Sequence, residues 1–359
     1  MTRLSARTGA VGLAALALAA GGLAAPADAT SSAAAQVAVQ QAVAAPQAQR
    51  GGVRLHTNAE LAHALKQIAR ASRGRVAVRS VGTSNEGRPI WFATLGTGPK
   101  RVMYVTQQHG DEPLGTESAL HALRRLGLAD DPVARAVRSK VTLGIVVRAN
   151  PDGHEHQWRY NYDPDAEPEY GEPGKGYDIN RYHDPAVAPD DIPATEAAVI
   201  RRTHAAFRPS IMVDYHMQGR YAFPPPDGRE ITTSIMWPNH PAVSADALRR
   251  SKQVGVRVHD AFTRAGAVVS QYPGGTYQGI ARNAYGLLGS ASLLVELSAL
   301  PPEREHFQVH TAYLSMVDLA RAAASGALDR IDPAAADEIP PRGPAIPRDA
   351  STARDGGAH

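Results

Sequence analysis

The sequence predicts an α/β fold: a single domain built on a twisted, mixed but mostly parallel β-sheet, with helices on both faces. Three observations lead there. Apolar, β-rich runs alternate with amphipathic helical stretches along most of the chain. Polar motifs carrying His, Glu and Arg stand where those runs end, the place where open α/β sheets put ligand sites. The chain has 359 residues, 43% hydrophobic and 20% charged, which is ample for one large core.

The elements follow in order. Asn58 to Ala71 opens on a plausible N-cap and sets Leu61, Leu65 and Ile68 on one face, as a helix requires. Val76 to Val81 and Ile90 to Leu95 read as strands joined by the polar turn Ser84 to Arg88, a hairpin at a sheet edge. Val102 to Thr106 is a buried strand. It runs through HGDEP into LGTESALHALRRL, where Leu114, Ser118, Leu120, Leu123 and Leu126 recur at roughly helical spacing. In that turn Gly110 permits tight backbone, and Pro113 suits the first turn of a helix. Val141 to Val147, VTLGIVV, has the composition of a central strand.

Residues 148 to 190 then form a long loop-like stretch rich in Pro, Gly, Asp and Tyr. A loop of that length in a compact domain is usually functional. Ala194 to Thr203 is helical until Pro209 intervenes. Ser210 to Tyr215 is a strand, with His216 just past its end. Ala245 to Ala265 is a long helix, and Ala291 to Leu297, ASLLVEL, is a buried run. A helix from Glu303 to about Ala324 closes the fold.

The two ends differ from this body. Residues 1 to 29 have the form of a secretory signal peptide: Arg3 and Arg7, the apolar run Gly9 to Ala25, then Ala27-Asp28-Ala29 as a cleavage site. The run is short and Ala/Gly-rich, so no membrane span is expected after cleavage, and the mature chain should be extracellular. Residues 30 to 52 read as an Ala/Gln-rich linker or leader, and residues 327 to 359 as a disordered Pro/Ala-rich tail. The catalytic domain should therefore span residues 53 to 326.

Composition excludes several chemistries. There is no Cys, hence no thiol nucleophile, thiolate metal site or disulfide. The net charge of +3 comes from scattered Arg, which gives nucleic-acid binding no support. No GxSxG elbow, phosphate-binding Walker loop or GxGxxG turn is present.

What remains is a set of metal-ligating and anion-gripping residues. His109 and Glu112 are two good zinc ligands in one turn, and a catalytic zinc needs three plus an open position. His216 is a candidate third. Asp214 shares its strand face and suits a supporting carboxylate. Arg159, Asn180 and Arg181 in the long loop could grip an anion. Glu296 is a lone charge in an apolar run, costly unless functional, and a raised pKa there suits a general base.

These residues together resemble the zinc carboxypeptidase family, the carboxypeptidase A-like metallopeptidases, from about residue 75 to 320. The resemblance rests on SNEGRPI at 84 to 90, His109-x-x-Glu112, NPDG at 150 to 153, Arg159 in WRYN, DINR at 178 to 181, His216, and Glu296 in LLVELS. It implies the family's fold, with about eight strands in the sheet. It implies one zinc per chain on His109, Glu112 and His216. Arg159 would polarise the scissile carbonyl, Asn180 and Arg181 would bind the substrate's terminal carboxylate, and Glu296 would be the general base. The family's mobile Tyr corresponds to Tyr272, which precedes Gly274-Gly275, or alternatively to Tyr277.

The expected protein is thus a secreted, monomeric zinc metallocarboxypeptidase that hydrolyses the last peptide bond of peptides with a free C-terminus. A murein stem-peptide peptidase or amide deacylase of the same fold is the alternative. A relative that binds peptide or cell wall without catalysis is a third reading. No acidic residue lies between Tyr272 and Glu296, which argues against selective cleavage after Lys or Arg.

Overall fold

The computed structural model describes residues 52–347. The expected signal peptide and nearly all of the expected linker lie outside the described residues, as does the tail beyond residue 347.

Eight strands form the main sheet: β1 (Val76–Thr83), β2 (Pro89–Leu95), β3 (Lys100–Thr106), β4 (Val141–Val147), β5 (Ile211–Gln218), β6 (Thr233–Met236), β7 (Val269–Gln271) and β8 (Ala291–Ser298). Their spatial order is β1-β2-β4-β3-β5-β8-β6-β7. The central strands β4, β3, β5 and β8 run parallel to one another, as do β6 and β7. The pairs β1–β2, β2–β4 and β6–β8 are antiparallel. The expected mixed sheet with an edge hairpin is what forms.

Successive residues of the central strands feed opposite cores, as pleating demands. Val102 and Tyr104 of β3 join Val213 and Leu293 on one face, under helices α1 (Asn58–Ala71), α2 (Leu114–Leu128), α6 (Ala245–Arg264) and α8 (Glu305–Ser325). Met103 and Val105 join Met212 and Val146 on the other, under α5 (Thr195–Phe207). Burial on both faces explains why β4 reads as a continuous apolar run rather than an alternating one. Two short helices, α3 (Pro132–Lys140) and α4 (Pro151–His156), flank β4, and α7 (Ala281–Leu287) precedes β8.

Local chemistry fixes the helix ends. Thr57 and Glu60 form a reciprocal capping box at the start of α1. Asp131 accepts from the Val133 and Ala134 amides ahead of α3. Gly326 closes α8 in the left-handed region at φ 70°. Among the described residues, no helix is long and apolar enough to cross a membrane.

Two expectations need correction. The strand carrying His216 does not stop at Tyr215: β5 continues to Gln218, so His216 lies within it. The catalytic unit does not end at residue 326. Leu328, Ala336 and Ile339 are buried against the main core. Beyond them the chain runs along the outer edge of β7, with Gln271 N donating to Pro340 O at 2.8 Å and Arg342 N to Gln271 O at 3.0 Å. An edge strand leaves backbone groups unpaired, and this extended segment pairs them. Residues 327–347 therefore belong to the fold although they carry few large side chains.

Candidate metal centre and active site

The site forms where β3, β5 and β8 end. The β3–α2 turn delivers His109 and Glu112, and β5 delivers His216. His109 Nδ1 lies 2.7 Å from Glu112 Oε1, His216 Nδ1 lies 2.9 Å from Glu112 Oε2, and the two Nδ1 atoms are 3.0 Å apart. All three residues are buried, and their ligand atoms lie within 4.8 Å of one another.

Each ring is anchored from behind. His109 Nε2 meets Asp178 Oδ1 at 3.1 Å, and His216 Nε2 meets Asp214 Oδ2 at 2.8 Å. With each Nε2–H given to a carboxylate, both Nδ1 lone pairs face the same point. That is the ligand-orienting arrangement of histidine metal sites. Zinc bonds of about 2.0–2.1 Å in a tetrahedron would set ligand atoms about 3.3 Å apart, close to the spacing here. The charges agree with a cation. Burial would raise the Glu112 pKa, yet the two imidazoles hold it well below the usual carboxylate range. Burial would depress His216, yet Asp214 and Glu112 raise it well above the usual imidazole value. The residues present fit a divalent metal.

The tight turn has a specific cause. Gly110 is not needed for a left-handed backbone. A Cβ on it would come within 1.9 Å of the Gly153 carbonyl carbon, so Gly is required by close approach of the Asn150–Gly153 turn. Asn150 in turn holds Gln108 O, Tyr160 O and the Gly153 amide, which binds the long loop to the metal turn.

Glu296 reaches the site through the sheet itself. In the parallel β5–β8 pair it is the register partner of His216, so both side chains stand on one face. It is buried, and its Oε2 has no hydrogen-bond partner among the described residues. Burial and the Glu112 carboxylate push its pKa up to about 8, against the pull of His216 and Arg159. Arg159 sits across the cluster, with Nη2 3.0 Å from Asp178 Oδ2 and Nη1 3.5 Å from Glu112 Oε1.

Asn180 and Arg181 follow Asp178 in a short 3-10 turn. Asn180 Oδ1 accepts from the Ala281 amide at 2.9 Å, and its Nδ2 lies 3.3 Å from His216 Nε2. Because that Nε2 donates to Asp214, it cannot also accept, which leaves the amide hydrogens for another acceptor. Arg181 is 4.0 Å from Asp178, whose Oδ2 is already engaged by Arg159. Its guanidinium is half-buried and weakly paired.

The two tyrosines separate. Tyr272 lies near Glu296 and Arg159: burial raises its pKa first, and the Glu296 charge adds to that. Tyr277 instead packs against Tyr170 of the long loop, with ring centroids 4.8 Å apart and planes tilted by 35°. The arrangement therefore brings together His109, Glu112, His216, Arg159, Asn180, Arg181, Tyr272 and Glu296, and leaves Tyr277 at the rim.

Three contributors escape a reading of the sequence. Asp178 stands two residues before Asn180 in DINR, and its pairing with His109 and Arg159 shows only in three dimensions. Gln108 links Asp214 to His183, and burial pushes His183 down to about 3, keeping it neutral. Arg342 comes from the C-terminal segment. Its guanidinium lies 3.6 Å from the Tyr221 ring centre and 4.6 Å from that of Tyr272, and its Nη1 donates to Gln218 Oε1 at 2.8 Å.

Against known proteins, a family model described as zinc carboxypeptidase matches residues 61–298. The chain belongs to the zinc carboxypeptidase family. Among curated relatives, the chain is similar to carboxypeptidase M of Mus musculus, 31% identical over 127 residues. That match covers 33% of this chain and 28% of the relative, so only about a quarter of the relative's length is spanned. Among solved structures it is similar to the carboxypeptidase A from Helicoverpa armigera, with TM-score 0.59 and 20% identity over 82% of this chain and 81% of that one. It is also similar to a metallo-carboxypeptidase from Burkholderia cenocepacia, with TM-score 0.57 and 20% identity over 75% and 69%. These likenesses give the fold. The zinc carboxypeptidase match encloses every candidate site residue from His109 to Glu296, whereas Arg342 lies beyond it.

Proposed function

We propose that this zinc carboxypeptidase family member is a secreted, monomeric exopeptidase that removes the last residue of peptides with a free C-terminus. The observation that carries the reading is the side-by-side placement of Glu296 and His216 on adjacent strands, facing the His109–Glu112 turn. His109, Glu112 and His216 would hold one zinc, which supplies Lewis-acid chemistry by acidifying a water and polarising a carbonyl oxygen. Glu296, whose carboxylate is poised by burial near neutral pH, takes the proton from the attacking water. Arg159, held by Asp178, adds positive charge where oxygen charge builds on the scissile carbonyl. Asn180 and Arg181 hold the terminal carboxylate and so choose which bond meets the base. Glu296 then returns its proton to the departing amine nitrogen. Tyr272 closes over the bound end. The apolar N-terminal run with its small-residue cleavage site supports export.

The test is hydrolysis of N-blocked dipeptides and of muropeptides by the zinc-loaded chain, with a chelator control. Release of the C-terminal amino acid, lost with chelator, is expected. Cleavage of muropeptides alone would move the assignment to a murein peptidase. No cleavage of either, with zinc bound, would leave a binding protein.

A further inference from the structure

Arg282, the second residue of α7, is a buried cation that the proposed chemistry does not use. It is 3% exposed. Its Nη2 donates to Gly275 O at 2.8 Å and reaches Asn239 Oδ1 at 3.4 Å, while its Nε has no partner among the described residues. Among those residues no carboxylate oxygen lies within 4.0 Å of its guanidinium. Another deeply buried arginine behaves differently. Arg148, 1% exposed, spends Nε on Gln107 Oε1, Nη1 on Asn58 Oδ1 and Nη2 on His56 O. A structural guanidinium satisfies its donors, because unmade bonds in the interior are costly. Arg282 does not.

Its position ties it to the carboxylate clamp. The amide of the preceding residue, Ala281, is held by Asn180 Oδ1. Gly279 packs so closely on Arg181 that a Cβ there would lie 2.3 Å from Arg181 O. Gly275, which accepts from Arg282, stands three residues after Tyr272. Burial pushes the guanidinium down to about 10, and Tyr272, Arg181 and Glu296 are the charges it senses. The geometry therefore ties the segment that carries a second guanidinium, one with an unpaired donor, to the segment that would take the terminal carboxylate.

We propose that Arg282 reads the side chain of the residue being removed, and that the preferred substrates end in a residue with a side-chain carboxylate, Glu or Asp. This rests on the exopeptidase reading above. One carboxylate of such a residue meets Arg181 and Asn180, and the other, a few bonds away, meets Arg282. A terminal Lys would bring a like charge into the same buried space, and a terminal Leu would leave the guanidinium unpaired. The stretch between Tyr272 and Glu296 holds no acidic residue and supplies this cation instead.

The experiment uses the zinc-loaded full chain and four N-blocked peptides that differ only in their last residue: Glu, Gln, Leu or Lys. Glu and Gln are close in shape and differ in charge. The expected kcat/KM for Glu exceeds that for Gln by about tenfold to a hundredfold, with Lys the poorest. Arg282→Leu should collapse the Glu/Gln ratio to about one, and Arg282→Lys should retain part of it because the charge remains. Inhibition by free glutamate against free glutamine should show the same ordering. The unaltered chain decides the question even if a variant misfolds. Equal or better cleavage of the Gln or Leu peptide overturns the Arg282 assignment and leaves the exopeptidase reading standing. A Glu preference that survives Arg282→Leu in a folded variant overturns it as well. Failure to cleave any of the four peptides overturns the exopeptidase reading itself, and the Arg282 assignment with it.

Discussion

Replacing Asp178 with Asn should weaken zinc binding without removing a ligand. Asp178 serves two neighbours at once. Its Oδ1 takes the His109 Nε2–H at 3.1 Å, and its Oδ2 takes Arg159 Nε and Nη2 at 3.2 and 3.0 Å. The group is buried, which alone would raise its pKa, yet His109 and Arg159 hold it well below the usual carboxylate range. Asn keeps an acceptor for His109 but loses the charge that makes the imidazole a better donor to metal. It also puts an amide where Arg159 needs an anion. Changes to such supporting carboxylates lower metal affinity by about tenfold to a hundredfold. At about 1.4 kcal/mol per decade, that corresponds to about 1.4 to 2.8 kcal/mol. Asp178→Ala should do worse, because it takes the nearest carboxylate from the half-buried Arg159 guanidinium, at a cost of about 1–3 kcal/mol in folding stability. The assay is competition for zinc with a chelator of known affinity, together with a thermal melt of each variant. Zinc affinity within about twofold of the unaltered chain in Asp178→Asn would show that His109 is oriented by something else, and the reasoning would fail.

Three further outcomes are expected. Glu296→Gln should keep fold and zinc but lose turnover by about two to four orders of magnitude in a stopped peptide assay, and near-normal kcat would make Glu296 a structural carboxylate. The unaltered chain should favour free over amidated C-termini by about tenfold to a hundredfold in kcat/KM, and Arg181→Ala should erase most of that preference; equal rates on a matched peptide pair with the unaltered chain would point to endopeptidase or amidase action. Glu196 is buried with one oxygen bonded to Asn161 and the other without a hydrogen-bond partner among the described residues, and burial raises its pKa from 4.5 to about 7. A carboxyl raised on folding stays protonated while the unfolded chain ionises, so its stabilising contribution is whole below pH 4.5 and falls as pH rises to about 7, by about 3 kcal/mol. The melting-temperature gain of Glu196→Gln over the unaltered chain should therefore grow between pH 5 and pH 8, and a gap that stays flat would mean that Glu196 is ionised in the fold.

How far the sequence carried depended on which force set each element. β4 was legible to the residue because a strand buried on both faces must be apolar throughout. The far end of β5 was not. His216 and Gln218 continue the strand with polar groups on either side of Met217 because that end holds the site, where pattern rules give way to chemistry. The tail was misread for the opposite reason. Backbone pairing along β7 and a few buried side chains hold residues 327–347, and composition records neither well. The candidate metal ligands stand out in the sequence because their residue types and their place at strand ends are both unusual. Asp178 and Arg282 were not, since a lone Asp in a polar loop and a lone Arg near a helix start carry no periodicity. Their meaning lies wholly in what stands opposite them.

That division has a physical basis in how the site is mounted. Two of the groups that would do chemistry are fixed by sheet register: Glu296 cannot shift relative to His216 without slipping β8 against β5, and a one-residue slip would turn its side chain to the other core. The groups that would choose substrate hang on loops, joined to one another by few bonds such as Asn180 Oδ1 to the Ala281 amide. Loops tolerate substitution better than paired strands. The candidate selecting residues can therefore vary while His216 and Glu296 keep their geometry. Arg342 extends the same logic past the family match, steadying the Tyr272 ring from a segment that also covers the sheet edge. The guanidinium lies 4.6 Å from the Tyr272 ring centre, a contact worth about 0.5–2 kcal/mol, so removing Arg342 should loosen the ring without touching the residues fixed by sheet register.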